Sequence, residues 1–91
     1  MIVDSSAILA ALFGEPDVER FVRAIAEASR CRMSTANFLE AAIVVEARAG
    51  IAGGLELDLF IERARIELVP ASVEQAQAAR SAWRRFGKGN H

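Results

Sequence analysis

Cys31-Arg32-Met33-Ser34-Thr35-Ala36-Asn37-Phe38-Leu39-Glu40 is the stretch that decides the fold. Residues 31–34 read as a short buried strand. Ser34 or Thr35 then caps a helix, because a hydroxyl at that position accepts a bond from a free N–H of the first turn. That helix is expected to run to about Ala49 and to end at Gly50. The same order appears at the start of the chain. Met1-Ile2-Val3-Asp4 reads as a first strand, followed by a helix over Ala7–Phe13 that Ser5 or Ser6 caps and Gly14 stops. Both runs place an acid, Asp4 or Glu40, just past the carboxyl end of a strand. In an open parallel α/β sheet, ligands bind in the crevice at that end.

The remaining chain continues the alternation. The first helix is apolar all round and should be buried. Pro16 suits the opening of a second helix, where Val18, Phe21, Val22 and Ile25 form one amphipathic stripe. Ala52-Gly53-Gly54 reads as a turn, and Leu57, Phe60, Ile61 and Ala64 restore helical periodicity. Ile66–Val69 is a third strand closed by Pro70. Ser72 with Gln75 matches a capping box. Ala76, Ala79, Trp83 and Phe86 then mark an inward helix face, and Gly87-Lys88-Gly89 a loop. Strands alternating with helices argue for an α/β domain with a parallel sheet and crossover helices.

The chain has 91 residues, enough for one small domain over residues 1–91 with a marginal core. Its hydrophobic fraction of 53% suits strands covered on both faces or a surface hidden against a partner. The net charge of −1 gives no sign of nucleic acid, but Arg80, Arg84, Arg85 and Lys88 follow Glu74 with no acid after it. Such a run is either a solvated helix face or a set of phosphate contacts. Cys31 has no partner for an internal disulfide, which fits a reducing cytoplasm. No stretch approaches the ~20 apolar residues of a membrane span. The N-terminus lacks the basic region of a signal peptide.

Asp4 and Glu40 are the candidate residues for chemistry. Neighbouring strands at ~4.8 Å spacing would let both side chains reach one ion. Mg²⁺ takes carboxylate and water oxygens. Asp4 has a plainer reading as a cap or turn residue. Glu40 could face solvent, but Ala36, Ile43 and Val44 surround it on the helix, and a carboxylate on an apolar stripe needs a partner.

Met1-Ile2-Val3-Asp4-Ser5-Ser6-Ala7 resembles the start of PIN-domain proteins, especially the VapC-type toxins of bacterial toxin–antitoxin pairs. Met33-Ser34-Thr35-Ala36-Asn37-Phe38-Leu39-Glu40 resembles their second motif, a strand-end serine with a glutamate six residues on. Glu46-Ala47-Arg48-Ala49-Gly50 and the closing Phe86-Gly87-Lys88-Gly89-Asn90-His91 are similar to one VapC subgroup. The resemblance implies a PIN-like three-layer sandwich with helices flanking a parallel sheet. It also implies Mg²⁺- or Mn²⁺-dependent endoribonuclease cleavage leaving 5′-phosphate and 3′-hydroxyl ends. Asp4 and Glu40 would hold the metal, Ser6 would bond the first acid or the substrate phosphate, and Ser34 would support the site. A VapB-type antitoxin and RNA are the implied partners.

Members of this family continue past a point like His91, with two further aspartates and the last strands. The expectation is therefore an incomplete PIN domain, from a truncated or proteolysed protein, that lacks the C-terminal strands and is inactive or nearly so by itself. An unpaired side of the first strand would favour a homo-oligomer or swapped dimer. The competing reading is a non-catalytic PIN-like module that binds an antitoxin or itself. A flavodoxin-like regulatory domain fits less well, because it lacks a third carboxylate near the switch point and a downstream lysine. Trp83 and Phe86 belong to the core stripe, with base stacking as the other use. His91 reads as a loose end.

Overall fold

In a computed structural model, residues 1–16 and 18–89 are described, the side chains of residues 82 and 85–89 excepted. Arg85, Phe86, Lys88 and His91, named above, thus have side chains outside the described set.

Two parallel strands form the sheet: β1 (Cys31–Ser34) and β2 (Ile66–Val69), in register Cys31↔Ile66 through Ser34↔Val69. The expected first strand is only a bridge. Ile2 pairs in parallel with Arg32, Val3 N–H donates to Arg32 O at 2.8 Å, and Arg32 N–H donates to Met1 O at 2.9 Å. The reason is local: Asp4 has already left the ladder to cap the next helix. The segment still sits beside β1, so the order is Met1–Val3, β1, β2.

One face of the sheet forms part of the buried core. Val3, Cys31, Met33 and Ile66 are buried on it. Ile2, Arg32 and Glu67 share a register and point the other way, exposed. Arg30 and Glu67 make an exposed ion pair at 2.9 Å. Such a pair adds about 0–1 kcal/mol.

Helix α1 (Ser5–Phe13) and helix α2 (Val18–Glu27) pack together, and α1 also packs on α3 (Thr35–Arg63). Ile8 is fully buried in the core with Met33, Leu57 and Val45. The Arg48 guanidinium lies 5.0 Å from the Phe13 ring centroid, a cation–π contact joining α3 to α1.

Helix α3 corrects the expected boundary. Gly50 does end its first half, with φ 66° and ψ −163°, but the second half begins at once and no turn occupies residues 52–54. Gly53 serves close packing instead. A Cβ there would lie 2.5 Å from Ala49 Cβ and 3.1 Å from Val45 Cγ1. Absence of side chains at 53 and 54 lets the second half sit tightly against the first, a role that composition alone does not separate from a turn.

Helix α4 (Val73–Gly89) begins with the expected reciprocal cap: Gln75 N–H donates to Ser72 Oγ at 3.0 Å, and Ser72 N–H donates to Gln75 Oε1 at 2.9 Å. It runs through the residues read as a loop, since an isolated glycine costs a helix only about 1 kcal/mol. The inward stripe is also corrected. α4 packs on α3, Ala76 is exposed, and Trp83 remains 48% exposed. Periodicity marks a helix face but not what stands opposite it.

Candidate active site

The starts of α1 and α3 meet at the carboxyl end of the sheet. Asp4 is the N-cap of α1, displacing Ser5 and Ser6 from that expected role. Its Oδ1 accepts from Ala7 N–H and from Ser6 Oγ, each at 2.9 Å. The carboxylate suits this place because a helix start carries partial positive charge and unpaired N–H groups.

Ser34 caps α3 through its Oγ, which accepts from Asn37 N–H at 3.1 Å and from Asn37 Nδ2 at 3.2 Å. Thr35, the other expected cap, accepts from Ala71 N–H at 3.2 Å through Oγ1 and ties the segment after β2 to the same corner. Glu40 lies on the following turn of α3 and is half-buried.

Ser5 joins the two helices. Its hydroxyl donates to Glu40 Oε1 at 2.8 Å, and its N–H donates to Asn37 Oδ1 at 3.4 Å. Thus the chain neighbour of Asp4 touches Glu40, and the two acids share one corner. Each engages one carboxylate oxygen. Asp4 Oδ2 and Glu40 Oε2 have no hydrogen-bond partner among the described residues. No buried side-chain polar atom is left unpaired among those residues.

Ser5 and Asn37 were not singled out as site residues by sequence reasoning. A signal existed for both: Asn37 is three residues before Glu40, on the same helical face, and Ser5 adjoins Asp4. Arg80 and Arg84 are exposed on α4, about 10 and 16 Å along its axis from Val73 at ~1.5 Å per residue. No described contact links them to Asp4 or Glu40.

The donor set is all oxygen, which suits a hard divalent cation such as Mg²⁺ or Mn²⁺. Among the described residues no three His, Cys, Asp or Glu side chains converge. Two carboxylates would therefore need water or substrate oxygens to complete a coordination shell. A cavity of about 550 Å³ lies at the opposite end of the sheet, lined by Cys31, Phe60, Glu56 and the arginines Arg30, Arg63 and Arg65. It holds no pair of acids, so size alone does not locate the chemistry.

The chain is similar to known proteins along nearly its whole length. A family model described as PIN domain matches residues 1–90. The chain is 53% identical over 92 residues to VapC ribonuclease Mb0640 of Mycobacterium bovis, covering 100% of this chain and 70% of that relative. It is 50% identical over 91 residues to Ribonuclease VapC of Mycolicibacterium smegmatis, with coverage of 100% and 70%. Ribonuclease VapC28 of Mycobacterium tuberculosis is 39% identical over 90 residues, with coverage of 99% and 68%. A mixed α/β fold with a small parallel sheet flanked by helices, and a match over nearly the full length, make this chain a member of the PIN-domain family.

Proposed function

We propose that the chain is a metal-dependent endoribonuclease, the toxin of a toxin–antitoxin pair, with Asp4 and Glu40 as its metal ligands. The observation that carries this reading is the Ser5–Glu40 hydrogen bond, which brings the two acids to one sheet end. The names of the relatives support ribonuclease chemistry, and the all-oxygen donor set supports Mg²⁺ or Mn²⁺.

A divalent ion bound there would neutralise phosphodiester charge and make a nearby water more acidic. The chain's own groups do the rest by position. Asp4 and Glu40 present one carboxylate oxygen each. Ser6 holds Asp4 in place, and the Ser34–Asn37 pair fixes the start of α3. Arg80, Arg84, Arg85 and Lys88 supply the phosphate contacts along α4. A VapB-type antitoxin and RNA are the proposed partners, in the cytoplasm. Self-association through the outer edge of Met1–Val3 completes the proposal.

With two carboxylates at the corner, the 91-residue chain should bind its ion loosely and be nearly inactive by itself, its residual cleavage showing only when it is in molar excess over RNA. The test is cleavage of single-stranded RNA with the chain in molar excess, with Mn²⁺ and with chelator. Slow cleavage that requires Mn²⁺ and is lost in Glu40→Gln is expected. No metal-dependent cleavage under those conditions overturns the enzymatic reading in favour of a binding module.

A further inference from the structure

We infer that Ser5 is a positioning residue that aims the Glu40 carboxylate at the site's cation; the inference rests on the metal-dependent reading above. Ser5 is 7% exposed, and a serine hydroxyl has one proton to donate. That proton goes to Glu40 Oε1 at 2.8 Å, so it is not shared with solvent. Glu40 has three rotatable side-chain bonds. Pinning one carboxylate oxygen leaves the other as the oxygen offered outward.

The pin is itself anchored. Ser5 N–H donates to Asn37 Oδ1 at 3.4 Å, Asn37 Nδ2 donates to Ser34 Oγ at 3.2 Å, and Ser34 Oγ also accepts from Asn37 N–H at 3.1 Å. A run of hydrogen bonds thus leads from the end of β1 through Asn37 to the first turn of α1 and on to Glu40. A capping role alone does not explain it, because Asp4 already caps α1. Ser5 therefore spends its hydroxyl on the acid of the other helix. Groups that orient a ligand side chain in this way commonly change metal affinity or activity by about 10- to 100-fold when removed.

The experiment titrates Mn²⁺ calorimetrically into the 91-residue chain, Ser5→Ala and Ser5→Thr. Each is also melted in chelator and assayed for single-turnover RNA cleavage across RNA concentrations. Ser5→Ala should weaken Mn²⁺ binding about 10- to 100-fold and slow cleavage by a similar factor, with RNA half-saturation unchanged. Ser5→Thr, which keeps the hydroxyl, should recover Mn²⁺ binding to within about threefold. Should Ser5→Ala fail to melt cooperatively, Ser5→Cys replaces it under the same criterion, since a thiol keeps the bulk but donates weakly. Mn²⁺ affinity within about twofold of the parent in the Ala or Cys variant overturns the inference and leaves Ser5 a packing residue. A parent chain that binds Mn²⁺ without cleaving RNA sinks the ribonuclease reading alone, and the role of Ser5 is still decided by the titration. A parent chain that binds no Mn²⁺ at millimolar concentration overturns both.

Discussion

Asp4 is asked to do two things, and substitutions can pull them apart. Its Oδ1 caps α1 by accepting from Ala7 N–H, and its charge is proposed to hold a cation. Asn, Asp and Ser cap helices about equally well, whereas Ala in their place costs about 0.5–2 kcal/mol. Asp4→Asn therefore keeps the cap and loses only the attraction between charge and helix dipole, about 0.3–1 kcal/mol. Relief of repulsion from Glu40 offsets part of that. Asp4→Ala loses both terms, about 1–2.5 kcal/mol by adding the central part of each range. For a domain of this size, 1 kcal/mol moves Tm by about 4–8 °C. Thermal melts in chelator should place Asp4→Asn within about 4 °C of the parent and Asp4→Ala several degrees lower still. Mn²⁺ titrations should rank them differently, with both variants more than about tenfold weaker than the parent, since each removes a charged oxygen ligand. Parent-like Mn²⁺ affinity in Asp4→Asn would falsify the claim that this carboxylate is a ligand, and Asp4 would then be a cap and nothing more.

Two further substitutions probe the scaffold that carries the site. Gly50→Ala meets open space but forces an alanine into φ 66°, ψ −163°, so it should cost about 1–3 kcal/mol of strain, whereas Gly53→Ala meets Ala49 Cβ and should cost about 1–3 kcal/mol of overpacking. Adding Ala49→Gly should restore part of the Tm lost by Gly53→Ala and none of that lost by Gly50→Ala; equal rescue of both contradicts the assignment of strain to one glycine and crowding to the other. Ile8→Ala, at a side chain with 0% exposure, should lose about 2–5 kcal/mol, a large share of the stability of a chain this short, and a urea midpoint near that of the parent would mean the packing of α1 on α3 is not the core it looks like.

Local chemistry made much of this fold legible. The strands at 31–34 and 66–69, the Ser72–Gln75 box and the stop at Gly14 each rest on residues within four positions of one another, and all are present. The errors came where a distant contact decided the outcome. Gly53 and Gly54 look like turn residues until the first half of α3 is known to lie against them. Trp83 looks like core on a helical wheel, yet α4 leans on α3 and leaves it half in water. Ser5 reads as a cap from its position, and only the approach of α3 shows that its hydroxyl is drawn across to Glu40. The acids themselves were visible because their position after each strand is a one-dimensional pattern. The groups that hold them were not, because a hydrogen bond across 35 residues leaves no mark in spacing.

The corner has a consistent division of labour. Each acid commits one oxygen to the fold: Asp4 Oδ1 to the first turn of α1, Glu40 Oε1 to Ser5. The uncommitted oxygens can then take a cation without competing with those bonds. This matters because binding that broke a cap would subtract the cap's free energy from the affinity. Binding that leaves the cap intact adds its full free energy to folding, about 2.7 kcal/mol when the ion stands at a hundred times its dissociation constant. In a chain whose core is marginal for its length, that increment is comparable with burying a large aliphatic side chain. The same reasoning explains why Asp4 sits at a helix start rather than within the strand. There the Ala7 N–H and the Ser6 hydroxyl hold one Asp4 oxygen and leave the other uncommitted, whereas Glu40, deeper in α3 and beyond the reach of free N–H groups, depends on the Ser5 hydroxyl for the same service.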